Sequence, residues 1–545
     1  MSDAALGGKS GVPGLLDRER IVARPGFNRW LVPPAALAIH LCIGMIYGFS
    51  VFWLPLSRAL GAATVPASCT QISVWEALVT TTCNWRVSDL AWTFTIAIVL
   101  LGVSAALFGG WLERAGPRKA GVVAALCWCG GLLISALGIY EHQLWLVWLG
   151  SGLIGGVGLG LGYISPVSTL IKWFPDRRGM ATGMAIMGFG GGALVGSPLA
   201  VILMSTFKDA DGPGVWQTFV ALALIYAVFM LAGAFGYRVP ASNWAPAGYV
   251  PRANTRMMTP RNVALADAHK TPQFWLVWIV LCMNVSAGIG VLAIASPMLQ
   301  EIFGGSLIGQ PGTSFTALDA GQRTQIAAIA AGFVSLLSLF NIGGRIFWAS
   351  FSDRIGRKIT YATFFLLGIA LYALAPTLAH GGMRALFVLA MCVILSMYGG
   401  GFATVPAYLA DLFGTAFVGA IHGRLLTAWS TAGVIGPILV TYIREEQIAA
   451  GVPRAQVYDI TLYLLAGLLV IGFVANLLVR PVAERWFMRE GVPVGPAPKA
   501  ASAQDDRAVV SDRVGGVALL AWAAVGLPIL WGVWVTLQKA VVLFS

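Results

Sequence analysis

One arginine stands where a charge is expensive. Arg345 lies in the run Phe-Asn-Ile-Gly-Gly-Arg-Ile-Phe-Trp (residues 340–348), downstream of a long, mostly apolar stretch. If that stretch is a lipid-spanning helix, the guanidinium sits inside the membrane, where it needs a partner or a water-filled cavity. A pass through the 23 Asp and Glu positions finds none deep inside an apolar run, so the expected partner is an anion from outside the chain. A guanidinium presents a planar fork that matches a carboxylate bidentately and stays charged at any cellular pH. Asn341 lies one turn away on the same helical face and could fix that fork. The competing reading is a structural arginine that reaches helix-end carbonyls or snorkels to a loop.

Proton chemistry has two candidates. His40 and His422 lie within apolar runs, and imidazole titrates near about 6.5, where a physiological switch must work. His40 is seven residues from Tyr47, and His422 is seven from Trp429, so each pair shares a helical face. Each histidine could equally be a hydrogen-bonded packing residue. Tyr398 and Phe402, four apart, also share a face. Arg424 and Asp411 lie close enough in sequence to latch one end of a helix pair. No nucleophile–base pair, metal-ligand spacing or phosphate loop is visible, so neither an enzyme, a metal site nor a cofactor is expected.

The elements that carry these residues must be membrane helices. The chain has 545 residues, of which 58% are hydrophobic and 11% charged, too little polar surface for a soluble domain. Spanning stretches read at about 31–56, 88–112, 120–140, 144–170, 179–206, 215–238, 273–302, 325–350, 359–379, 384–411, 415–443, 458–481 and 514–538. They are expected to be helical, because open strand edges do not survive in lipid and barrel-type alternation is absent. The polar first thirty residues and the long first span argue against a cleavable signal peptide. The net charge of +12 is distributed by topology: Lys and Arg crowd alternate loops, such as Arg114–Lys119, Lys172–Arg178, Arg238–Lys270 and Arg354–Lys358. That bias puts the N-terminus, the central loop and the end of span twelve in the cytoplasm, with span thirteen ending on the far side. Nucleic acid is not an expected partner; the lipid bilayer is. Five of the seven cysteines fall in spans, while Cys69 and Cys83 share the 57–87 loop and could pair if that compartment is oxidising.

The chain repeats at a constant offset of 240. Leu41-Cys42 returns as Leu281-Cys282, Pro166 as Pro406, and Gly183 as Gly423. Gly109, Glu113, Arg114, Gly116 and Arg118 form one loop signature; Asp353, Arg354, Gly356 and Arg357 form the second, with Ala349 where its first glycine would fall. The doubled pattern resembles the loop signature of the major facilitator superfamily. The resemblance implies an all-α membrane protein of two parallel six-helix halves plus an extra C-terminal helix. In this reading residues 1–30 are a cytoplasmic tail, 31–238 the first half, 239–272 the central loop, 273–481 the second half, 482–513 a linker and 514–538 the thirteenth span. The signature glycines would let helices approach, and the acid–base pairs would latch the cytoplasmic side.

Four segments resemble the oxalate:formate antiporter family of that superfamily: Gly44–Phe52; Gly160–Pro166 with Lys172–Gly179; Asn341 to Arg345; and Gly399–Gly414. The resemblance covers all twelve core helices, about residues 30–485. Members carry small carboxylates, and their helix-eight arginine binds the carboxylate, which maps onto Arg345. Tyr47, Tyr163, Tyr398 and Phe402 occupy the family's aromatic lining positions. The family's oxalate carrier adds a helix-eleven lysine; here Trp429 stands at that position. One cation suits a monoanion, which moves lactate, pyruvate or formate ahead of oxalate. The resemblance thus implies a functional monomer in the cell membrane that moves a small carboxylate by alternating access. Proton symport and anion exchange both stay open, as does a non-transporting sensor. The last span, with Gly526–Trp534, resembles a small single-span subunit found with such carriers, here fused to one.

Overall fold

A computed structural model describes residues 14–60, 69, 72–174, 178–208, 212–241, 244, 246, 261–414, 417–488 and 515–544. The middle of the central loop, most of the 482–513 linker and the Glu113 side chain lie outside the described residues. The described chain contains thirteen helices long and apolar enough to cross a membrane. We label them α1 (Val32–Ile43), α2 (Val87–Ala115), α3 (Pro117–Tyr140), α4 (Gly155–Trp173), α5 (Arg178–Phe207) and α6 (Val215–Gly236) in the first half. The second half contains α7 (Pro272–Phe303), α8 (Ala320–Ile355), α9 (Arg357–His380), α10 (Arg384–Phe413), α11 (Thr427–Ala449) and α12 (Asp459–Leu478). The appended helix is α13 (Gly516–Phe544).

The halves meet along two seams, α2 against α11 and α5 against α8, with α1 and α7 between them. Neither α1 nor α7 is a plain rod. The first tightens into a 3-10 turn at Gly44–Gly48 before a short helix, Ser50–Leu56. The second leaves helical geometry at Ile294 (φ −132°, ψ 17°). Pro297, four residues on, has no N–H to offer the Ala293 carbonyl, which instead accepts a hydrogen bond from Trp53 Nε1 at 2.7 Å, its counterpart 240 positions earlier. Ser88 N and Oγ donate to the Glu445 carboxylate at 2.8 and 2.6 Å, and Trp92 Nε1 to Tyr442 Oη at 2.8 Å. These ties all lie toward the face that bears the 57–87 loop, the loop face. The opposite end, where the arginine-rich turns lie, is the basic face.

Cys69 and Cys83 are joined by a disulfide on the loop face. His142 fastens the bridge to the α3–α4 turn: its Nε2 donates to the Cys83 carbonyl at 2.9 Å and its ring stacks on Trp85 at 4.1 Å.

Three expectations need correction. The acidic-residue reading missed Glu301, which is 2% exposed within α7. It takes Arg444 Nε at 2.8 Å, Tyr458 Oη at 2.5 Å and Arg454 Nη1 at 3.3 Å, with a second close bond from Arg444 Nη2. Because this pair holds Arg444 inside the fold, the eleventh span runs on to Ala449 rather than ending near 443. Arg424 does not latch to Asp411: it donates to the Leu265 carbonyl and contacts His269, while Asp411 pairs with Arg357 at 3.8 Å. Finally, among the described residues the signature contacts stay within one half. Arg118 donates to the Leu15 and Phe235 carbonyls, and Lys358, its counterpart, to the Leu477 and Val479 carbonyls. Arg357 pairs with Asp353 and Ser352, and Arg114 and Arg354 are exposed. Both turns pivot on a glycine at positive φ, Gly116 at 86° and Gly356 at 87°. Among the described residues nothing lies within 4 Å of where a Cβ at Gly109 would stand. In this arrangement the signatures cap helix ends, the favourable place for a cation.

Candidate functional site

Arg345 lies midway along the α5–α8 seam and is 2% exposed. Its Nε donates to Asn341 Oδ1 at 3.0 Å, the one-turn spacing at work. Its Nη1 donates to the Ile186 carbonyl at 3.2 Å, and Ile186 belongs to α5 in the other half. No carboxylate among the described residues pairs with this guanidinium. The approach of α5 requires Gly190, because a Cβ there would lie 3.0 Å from Arg345 Nε and 3.2 Å from Asn341 Oδ1. Below it, Ser338 Oγ donates to the Gly190 carbonyl at 2.5 Å.

Aromatic rings close around the fork. The Phe402 centroid lies 5.7 Å from the guanidinium carbon, within cation–π range. Trp429 packs on Phe402 at 4.5 Å and on Tyr163 at 5.3 Å. Tyr47 Oη and Tyr398 Oη share a hydrogen bond of 2.7 Å across the two halves. His40 lies at the edge, with Nε2 donating to the Tyr163 carbonyl at 3.1 Å and its ring 5.5 Å from that of Tyr163. The structure therefore brings together Arg345, Asn341, Tyr47, Tyr163, Tyr398, Phe402, Trp429 and His40. His422 stays apart on the Val418–Leu425 segment and makes no ring contact with this cluster among the described residues.

The sequence reading missed the ring at the centre. Phe189 is fully buried and meets Tyr47, Tyr163, Trp429 and His40 edge-on, at 5.0, 5.4, 5.6 and 6.2 Å. The available signal was one aromatic among Gly188, Gly190, Gly191 and Gly192, where nothing else on that turn can fill space.

Three buried polar atoms at the cluster, Asn341 Nδ2, Tyr163 Oη and Trp429 Nε1, have no hydrogen-bond partner among the described residues. Buried polar groups are nearly always satisfied, so each exception calls for a partner such as a water, an ion or a ligand group. One cation, three spare polar atoms and six rings thus converge at one point of the α5–α8 seam.

Two six-helix halves about a central buried site define a membrane carrier, and the comparisons agree. The Major Facilitator Superfamily profile matches residues 36–437, and the chain belongs to that family. It is 27% identical to the oxalate:formate antiporter of Oxalobacter formigenes over 75% of this chain and 83% of that one. It is 24% identical to apicoplast pyruvate carrier 1 of Toxoplasma gondii, covering 71% and 78%. Human monocarboxylate transporter 11 is 25% identical, covering 76% and 77%. The fold is shared with a solved D-xylose–proton symporter at a TM-score of 0.53 and 15% identity, covering 83% of this chain and 96% of that one.

Proposed function

We propose that this protein moves a small monocarboxylate, of the lactate, pyruvate or formate kind, across a cell membrane by alternating access, with the basic face cytoplasmic. The observation that carries the reading is Arg345: a buried guanidinium held on one edge by Asn341, with no acidic partner among the described residues and rings around the remainder. Burying a lone cation is costly, so the site gains most from a ligand that brings a negative charge.

The geometry also suggests how occupancy couples to movement. The Ile186 carbonyl takes one arm of the fork, and it belongs to the opposite half. An arriving carboxylate competes for that arm and, being charged, makes the stronger hydrogen bond. Binding would thus replace a tie between the halves with a tie to substrate. A site that reorients only after this replacement favours exchange of one anion for another. Proton symport is the second reading, supported by His40, whose ring touches both Tyr163 and Phe189. Trp429 in place of a second cation favours one carboxylate over two, so oxalate:formate exchange is the runner-up. The names of the antiporter and pyruvate-carrier relatives are in keeping with either choice.

Purified protein in liposomes tests this directly. Labelled formate, lactate, pyruvate and oxalate would be offered with and without an imposed pH gradient, and with each anion preloaded. The expected result is uptake of at least one monocarboxylate ahead of oxalate, stimulated by an anion on the opposite side. Entry of none of the four above protein-free vesicles would overturn the proposal.

A further inference from the structure

The appended helix α13 runs across the α5–α8 seam and is fastened to both halves. Near the basic face, Trp522 Nε1 donates to the Trp30 carbonyl at 3.1 Å, and Val525 is buried against Leu37 and Ala38 of α1. Halfway along, Gly532 presses on α5: a Cβ there would lie 2.7 Å from the Leu194 carbonyl oxygen. Leu194 adjoins Ala193, whose carbonyl accepts from Ser335 Oγ of α8 at 3.4 Å, so α13 backs the seam itself. Near the loop face the anchor changes halves. Lys539 Nζ donates to the Ala328 carbonyl of α8 at 3.1 Å, and its stem covers Gly332, where a Cβ would lie 2.6 Å from Lys539 Cβ. The other side of α13, with Leu520, Leu527, Leu530 and Trp534 exposed, is left to lipid.

From Trp522 to Lys539 a helix spans about 25 Å. A helix anchored to both halves, even with Pro528 between the anchors, must loosen one grip when the halves rock about the central site. Its contacts therefore belong to one arrangement, the one closed on the loop face by Trp53–Ala293, Ser88–Glu445 and Trp92–Tyr442. A set of contacts made in only one of two states shifts the population toward that state. The equivalent seam, α2 against α11, has no such helix laid over it among the described residues.

We propose that α13 is a brace that holds the carrier closed on its loop face, biasing the resting protein against exposure to that side. The inference rests on the alternating-access reading but not on the substrate, so its test uses accessibility rather than transport. Ser50, 2% exposed, lies beneath the loop-face closure, and its Oγ accepts from Ser296 N of the other half. In full-length protein carrying Ser50→Cys, labelling by a membrane-impermeant maleimide from the loop face reports opening. Gly532→Val, which wedges α13 off α5, and Lys539→Met, which removes the bond to Ala328, should each raise the labelling rate. A loss of ~1 kcal/mol of bias corresponds to about fivefold. Trp534→Ala on the lipid side should leave the rate unchanged, and inserted amount and gel-filtration profile should match the parent in every case. In a separate protein, Val525→Cys with Ala38→Cys, and Lys539→Cys with Gly332→Cys, should form both bridges in one molecule. Unchanged or slower labelling in the two loosened variants, or bridges that never form together, would overturn the brace.

Discussion

At the scale of single residues, Gly190 and Trp429 make opposite tests of the site. Gly190 leaves a space that a methyl would take from Arg345 Nε and Asn341 Oδ1, both about van der Waals distance away or closer. Gly190→Ala is expected to insert normally and to lose uptake at least tenfold, the cost of shifting a bidentate contact by a fraction of an ångström. Uptake per inserted molecule in vesicles would check this. Trp429→Lys works through charge: Trp429 touches Phe402, which faces the guanidinium, so a second cation there should favour a dianion. Competition assays should show oxalate gaining against lactate; a ratio unchanged from the parent would count against selection by cation number. Arg345 and Asn341 were legible in the sequence because a charge in an apolar run has few explanations. Phe189 was not, since one more aromatic in a membrane span is ordinary until the glycines beside it bring α5 close to α8.

At the scale of elements, the buried Glu301–Arg444 pair joins α7 to α11, and Tyr458 and Arg454 bring in the start of α12. Removing one partner of a buried pair strands the other charge, at about 3 kcal/mol or more. Glu301→Gln should therefore lower the melting temperature in detergent more than Glu76→Gln, whose parent carboxylate is exposed and capped by Ser73. The pair was hidden in the sequence because Arg444 begins the run Arg-Glu-Glu, which reads as a helix end reaching solvent.

The loop-face staple has its own pH signature. Burial holds the His142 pKa below its ordinary 6.5, only partly offset by its bond to the Cys83 carbonyl. The neutral ring is thus favoured in the folded protein, while the unfolded chain takes up a proton from about pH 6.5 downward. His142 contributes its full stability above pH 6.5 and loses it as pH falls. Melting curves at pH 7.5 and 5 should show a drop that His142→Gln reduces; an equal drop in both proteins would contradict this. The α1 break at Gly44–Gly48 and the α7 kink at Ile294 were not legible as such, because both lie in apolar runs that satisfy the helix pattern.

At the scale of the molecule, two halves of six helices and a thirteenth were readable from apolar length, alternating loop charge and the 240-residue repeat. Those signals follow from the membrane, which tolerates little else in a spanning segment. What they do not encode is which contacts cross between halves. Among the described residues the loop signatures cap helix ends within one half in this arrangement, while the ties that cross include Arg345 and Tyr47, which the sequence singles out, and Trp53, Ser88 and Trp92, which carry no pattern. The proposed function depends on the buried Arg345 at the α5–α8 seam. The decisive measurement is uptake of labelled formate, lactate, pyruvate and oxalate by liposomes holding equal amounts of the parent protein, Arg345→Lys and Arg345→Gln. Background uptake of every anion is expected for Arg345→Gln. For Arg345→Lys, which keeps the charge but loses the fork, about a tenth of parental uptake or less is expected. Parental uptake of any of the four by Arg345→Gln would contradict the proposed function.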